Sequence, residues 1–124
     1  MRKLLLLAPA ALIGASSILP AAGTQPDGAA LFRQRCASCH NMAPGARAVL
    51  GPTLVGVAGR KAGSTAFNYS PALKASNITW TEASLNQFLS GPTRMVPGTR
   101  MVISVSDPAQ RSVIIKFIVK RPQS

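Results

Sequence analysis

The 124-residue chain sets fourteen Lys and Arg against three acidic residues, Asp27, Glu82 and Asp107, for a formal charge of +11 on a sequence that is 47% apolar. That length and apolar fraction suit one domain with one modest core and need no second domain. The cations are scattered and no nucleic-acid reader motif accompanies them, which argues against nucleic acid as a partner.

In chain order, Met1-Arg2-Lys3 is a basic start, Leu4 to Ile13 is an apolar run broken once by Pro9, and small residues follow. Residues 1–23 therefore read as a secretory signal with cleavage expected around Ala21-Ala22-Gly23. The run is shorter than the roughly 20 residues of a spanning helix. Counted on through Leu19 it nearly reaches that length, and an uncleaved segment would then act as an N-terminal membrane anchor. Loss of Arg2 and Lys3 takes the charge from +11 to +9, so the domain expected over residues 24–124 stays basic. Export to the periplasm is the expected destination. It is an oxidising compartment, where two cysteines ordinarily pair.

Asp27 is placed to cap a helix whose Ala30, Leu31 and Phe32 lead straight into the cysteines. Residues 41–70 are dense in Gly and Pro and predict a long wrapping loop, a feature uncommon in a small domain unless it encloses something. Ser70-Pro71 opens a short helix through Lys74. Thr79-Trp80-Thr81-Glu82 fits a capping box, and Leu85, Phe88 and Leu89 follow at helical spacing until Gly91-Pro92. Residues 91–104 read as a second Gly/Pro loop carrying Met95 and Met101. Asp107-Pro108 then starts a last helix to about Val119; its β-branched residues favour strand, but the start signal is the stronger evidence. The expected fold is all-α, with three to five short helices joined by long loops.

The only two cysteines and the only histidine fall together as Cys36-Ala37-Ser38-Cys39-His40. In Cys-x-x-Cys-His, two thiols add across the vinyl groups of haem as thioethers, and the adjacent imidazole is held where it must ligate the iron. The competing readings are a Cys36–Cys39 disulfide, a thioredoxin-like redox pair and half of a zinc site. The chain lacks the further ligands zinc needs, and it shows no βαβ pattern. For the second face of the iron the candidates are Met42, Met95, Met101 or an open position. Met42 lies too close in sequence to His40 to cross over. Met101 follows the turn Pro97-Gly98-Thr99-Arg100 and is favoured, with Met95 as its rival and core filling as its ordinary alternative.

From about Gly28 to Ile118 these motifs resemble class I cytochromes c in the family's order. Gly28, Phe32 and Phe117 are similar to the residues where the first helix crosses the last. Gly51-Pro52-Thr53-Leu54 resembles the segment whose proline carbonyl accepts the proximal histidine's hydrogen bond. The resemblance implies propionate contacts from Arg60, Tyr69 and Trp80. It also implies an axial-methionine loop, Pro97-Gly98-Thr99-Arg100-Met101, in which Thr99 faces the cofactor and His40 and Met101 hold the iron. Two positions depart from the pattern: Phe88 stands where many members carry a tyrosine that hydrogen-bonds the axial sulfur, and Leu73 where an asparagine often joins a buried water network. The segment after Met101 is shorter than usual and lacks the family's aromatic and glycine.

The implied function is that of a monomeric one-electron carrier with one covalent haem c, moving between a respiratory reductase and an oxidase. Arg33, Arg35, Arg47, Lys61, Arg94 and Arg100 fall in segments expected around the exposed haem edge, so acidic docking faces are the expected partners. Two other readings stay open: a haem protein with a labile distal site acting as sensor or peroxidase, and an electron-transfer subunit of a larger complex.

Overall fold

The Asp27 carboxylate accepts a hydrogen bond from the Ala29 amide at 3.3 Å and opens the first helix, α1, Gly28–Arg35. The structure, a computed structural model, describes residue 14, residues 17–19, 23–24 and 26–120. Most of the expected secretory signal and its cleavage zone lie outside the described residues. No helix among the described residues is long and apolar enough to cross a membrane.

Four more helices follow: α2 (Pro71–Ala75), α3 (Glu82–Ser90), α4 (Pro92–Met95) and α5 (Pro108–Lys120). Ser70 caps α2 through a 3.2 Å bond from the Leu73 amide, with proline at the first turn as expected. The capping box of α3 is displaced from the one read in the sequence. Its cap is Thr81 and its reciprocal partner is Ser84, whose hydroxyl accepts from the Thr81 amide at 2.8 Å while Thr81 Oγ1 accepts from the Ser84 amide at 3.1 Å. Serine takes the role usually filled by Glu or Gln, so the box lies two residues beyond the Thr79–Glu82 pattern.

Gly91-Pro92 ends α3 and also starts α4, a helical turn within the stretch whose Gly/Pro content predicts a loop. The Met95 amide reaches the Gly91 carbonyl and the Val96 amide reaches the Pro92 carbonyl. Proline lacks the N–H that a first helical turn leaves unpaired in any case, so Gly-Pro is a start as well as a stop. The β-branched run at the C-terminus is helical as expected. Asp107 Oδ1 accepts from the amides of Ala109 and Gln110, and the run's Ile114, Ile115 and Ile118 are buried, each contributing about 1.5–3 kcal/mol relative to exposure.

The core forms where α5 packs against α1 and α3. At the α1–α5 crossing the rings of Phe32 and Phe117 lie 5.4 Å apart, and Gly28 sits against the partner helix. A Cβ at position 28 would lie 2.7 Å from the Val113 carbonyl oxygen and 2.8 Å from Phe117 Cβ. The long loop is held less by regular structure than by an antiparallel contact between residues 59–62 and 78–80. Gly59 donates to the Trp80 carbonyl, Trp80 to that of Arg60, and Ala62 to that of Ile78. This contact turns Arg60 and Trp80 toward the same interior space.

Candidate cofactor site

Hydrogen bonding continues past the end of α1 through the cysteines. The amides of Cys36 and Ala37 both donate to the Phe32 carbonyl, and those of Cys39 and His40 both donate to the Cys36 carbonyl, at 3.1 and 2.9 Å. This extra turn places both thiols and the imidazole on one short arc. Both thiols are free and half-buried. Burial pushes the Cys36 thiol up, against the pull of the neighbouring Arg35 cation and with a smaller rise from Cys39, so it stays protonated at neutral pH.

His40 Nδ1 lies 2.8 Å from the Pro52 carbonyl oxygen. A carbonyl only accepts, so Nδ1 carries the hydrogen and the neutral ring keeps its Nε2 lone pair for a metal. Burial lowers the pKa of the ring and outweighs the opposing effect of the Pro52 bond, which favours this neutral form. Gly51 seats the ring from behind. A Cβ there would lie 2.6 Å from His40 Cε1, and the Gly51 amide donates to the Cys39 carbonyl at 2.8 Å. In the sequence Gly51 stood out only as the residue before Pro52; nothing local marks it as the back wall of the imidazole.

Two cavities of about 110 and 320 Å³ adjoin this arc. Cys36, His40, Pro52, Tyr69 and Met101 line both; Arg60 and Trp80 line the first, and Cys39 and Thr99 the second. All nine site residues named from the sequence thus border one or both of these two neighbouring cavities. Met42 and Met95 border neither cavity; Met42 is buried in the core and Met95 packs against it. The walls suit a flat apolar ring system: they are largely carbon, both thiols stand at the border, and His40 Nε2 has no hydrogen-bond partner among the described residues.

The polar residues around this space are themselves tied down. Arg60 donates through Nη1 to the Val55 carbonyl and through Nη2 to the Thr53 carbonyl, both at 3.0 Å, bracing the loop that carries Pro52. The Tyr69 hydroxyl is hydrogen-bonded to Thr65 Oγ1, a pairing at spacing i, i+4 that the sequence reading did not single out. The Trp80 and Phe88 rings meet edge-on at 5.1 Å. Phe88 and Leu73 both line the first cavity, so at those two positions the wall is carbon where a hydroxyl and an amide were expected of the family. Of the six cations expected around the opening, Arg35 and Arg100 border the second cavity, whereas Arg33, Arg47, Lys61 and Arg94 border neither.

The family model for cytochrome c matches residues 26–121. The chain belongs to the cytochrome c family. It is 42% identical over 111 residues to a cytochrome c2 of Rhodomicrobium vannielii, covering 88% of this chain and 87% of the relative. It is 38% identical over 98 residues to a cytochrome c of Arabidopsis thaliana, covering 77% of this chain and 88% of the relative. Among solved structures it is similar to cytochrome cH from Methylobacterium extorquens, with a TM-score of 0.70 and 40% identity over 76% of this chain and 95% of that one. As a cytochrome c it carries haem c attached through Cys36 and Cys39 and shuttles electrons between redox partners. The all-α fold expected from the sequence is the fold of this family.

Proposed function

We propose that the iron is held between His40 Nε2 and Met101 Sδ, and that the chain is a carrier of single electrons and not a catalyst. The supporting observation is that Met101 alone among the methionines of the described domain borders both cavities together with His40, while Met42 and Met95 border neither. When bound, the haem supplies a one-electron couple whose potential a thioether ligand raises relative to a second histidine. The protein's part is to fix the imidazole through Pro52 and Gly51, to exclude water with an apolar wall, and to keep the thioether close. Arg60, Tyr69, Trp80 and Thr99 border the space where the propionates and the distal side of the ring would lie. His40 is the only histidine of the sequence, so once it is bound no imidazole is left to shuttle protons in peroxide chemistry.

The polypeptide acts in the periplasm after cleavage near Ala21-Ala22-Gly23, as a monomer that docks on acidic faces of a reductase and an oxidase. Exposed Leu50, Val102 and Ile103 and the cations Arg35 and Arg100 stand around the second cavity, a combination that gives a partner apolar contact inside a basic border.

The test is the oxidised visible spectrum of the haem-loaded protein. The weak charge-transfer band of a ferric iron–thioether bond is expected in the native protein and in Met95→Leu, and is expected to vanish in Met101→Ala with a fall in potential. A native protein without that band would overturn the methionine assignment and favour the ligand-binding reading.

A further inference from the structure

The segment after Met101 has little of its own to hold it. Val102, Ile103, Ser104 and Ser106 are exposed, and the one buried residue of the stretch is Val105, 3% exposed and packed with Leu31 and Ile114. Its amide donates to the Leu89 carbonyl of α3 at 2.8 Å. One guanidinium holds two of the segment's carbonyls. Arg111, half-buried on the first turn of α5, donates through Nη1 to the carbonyls of Val105 at 2.9 Å and Ser106 at 2.8 Å, and through Nε to Asn86 Oδ1 of α3 at 2.9 Å. Before Met101, the tether is the bond from Arg100 Nη1 to the Asn68 carbonyl, which is exposed. Hydrogen bonds from an ionised donor are about twice as strong as neutral ones, and a planar fork fixes direction as well as distance.

We propose that Arg111 is a positioning residue for Met101: by fastening the 102–106 segment to α3 and α5, it keeps the thioether on the iron and the loop closed. This rests on Met101 being the axial ligand. Without the fork, two backbone carbonyls lose their partner and the stretch from Met101 to Ser106 keeps Val105 as its principal anchor, so an open loop with the sulfur displaced becomes more populated. Arg111 touches neither cavity and acts only through the loop.

The probe is added imidazole, which binds the iron only when Met101 has left, so its apparent affinity scales with the open fraction. In the haem-loaded protein, Arg111→Met is expected to raise the apparent imidazole affinity about tenfold and Arg111→Lys, which restores one donor, about threefold. Amide exchange at Val105 should accelerate by a similar factor while Ile114 and Ile115 change less. The control is Thr81→Ala, which removes the cap at the opposite end of α3 from Leu89, where Thr81 makes no bond to the 102–106 segment; it lowers the melting temperature and is expected to leave imidazole affinity unchanged. If Arg111→Met does not mature, Asn86→Ala, which frees Nε and loosens the fork, is read in the same way with an expected rise of about twofold to threefold. Affinity and Val105 exchange unchanged in whichever of these variants matures, or no greater change than in Thr81→Ala at equal loss of melting temperature, would overturn the proposal. If the axial assignment itself is wrong, either the native protein lacks the thioether band from the outset or Met101→Ala retains it. Failure of the Arg111 proposal instead leaves that band intact and equally resistant to imidazole.

Discussion

At the scale of single residues, the site depends on close approach as much as on donors and acceptors. Gly51 is buried against His40, and a methyl group there would stand 2.6 Å from the ring. The ring has little freedom to retreat, since its Nδ1–H is committed to Pro52. Gly51→Ala is therefore expected to cost about 1–3 kcal/mol of overpacking strain and to tilt the imidazole, seen as a lower melting temperature and a weakened low-spin spectrum. Unchanged values in both would show that the loop carrying Gly51 yields freely. The chemistry at this scale was legible in the sequence, because Cys-x-x-Cys-His is a local pattern whose reach is set by one turn. The role of Gly51 was not, because the ring it supports comes from eleven positions earlier and meets it only after the chain has turned back.

Among the secondary-structure elements, the decisive contact is the crossing of α1 and α5. Gly28 permits it, with the Val113 carbonyl and Phe117 Cβ directly in the path of any side chain. Gly28→Ala should push the helices apart and destabilise the protein by about 1–3 kcal/mol, measured by thermal unfolding with the iron–thioether band as an internal check. Gly28 borders neither cavity, so the band should persist below the melting transition; its early loss would mean that the crossing also sets the distal loop, through Val105 packed on Leu31 of α1 and Ile114 of α5. Caps at Asp27, Ser70 and Asp107 were readable since each is a local hydrogen bond, and they correctly turned a β-branched run into α5. Two misreadings have local causes: Ser84 serves where Glu or Gln is expected in a capping box, and Gly91-Pro92 both stops one helix and begins another.

For the molecule as a whole, a net charge of +11, still +9 after loss of residues 1–23, against three acidic residues makes long-range attraction to an acidic partner the expected route to encounter. The bimolecular oxidation rate by an acidic partner should fall on the order of tenfold from low to physiological ionic strength. A flat or rising profile would point to the apolar residues at the opening, Leu50, Val102 and Ile103, as the main source of recognition. The sequence by itself determined the attachment motif, the basic net charge and the helix starts capped by Asp27, Ser70 and Asp107, because each depends on residues within a turn of one another or on composition alone. Only the tertiary structure decided which methionine shares a cavity with His40, that Gly51 backs the imidazole, and that Arg111 fastens the loop beyond Met101. Those relations join residues from five to sixty-one positions apart, each beyond a single helical turn, and they come into being when α5 packs across α1 and α3 and brings the loops together.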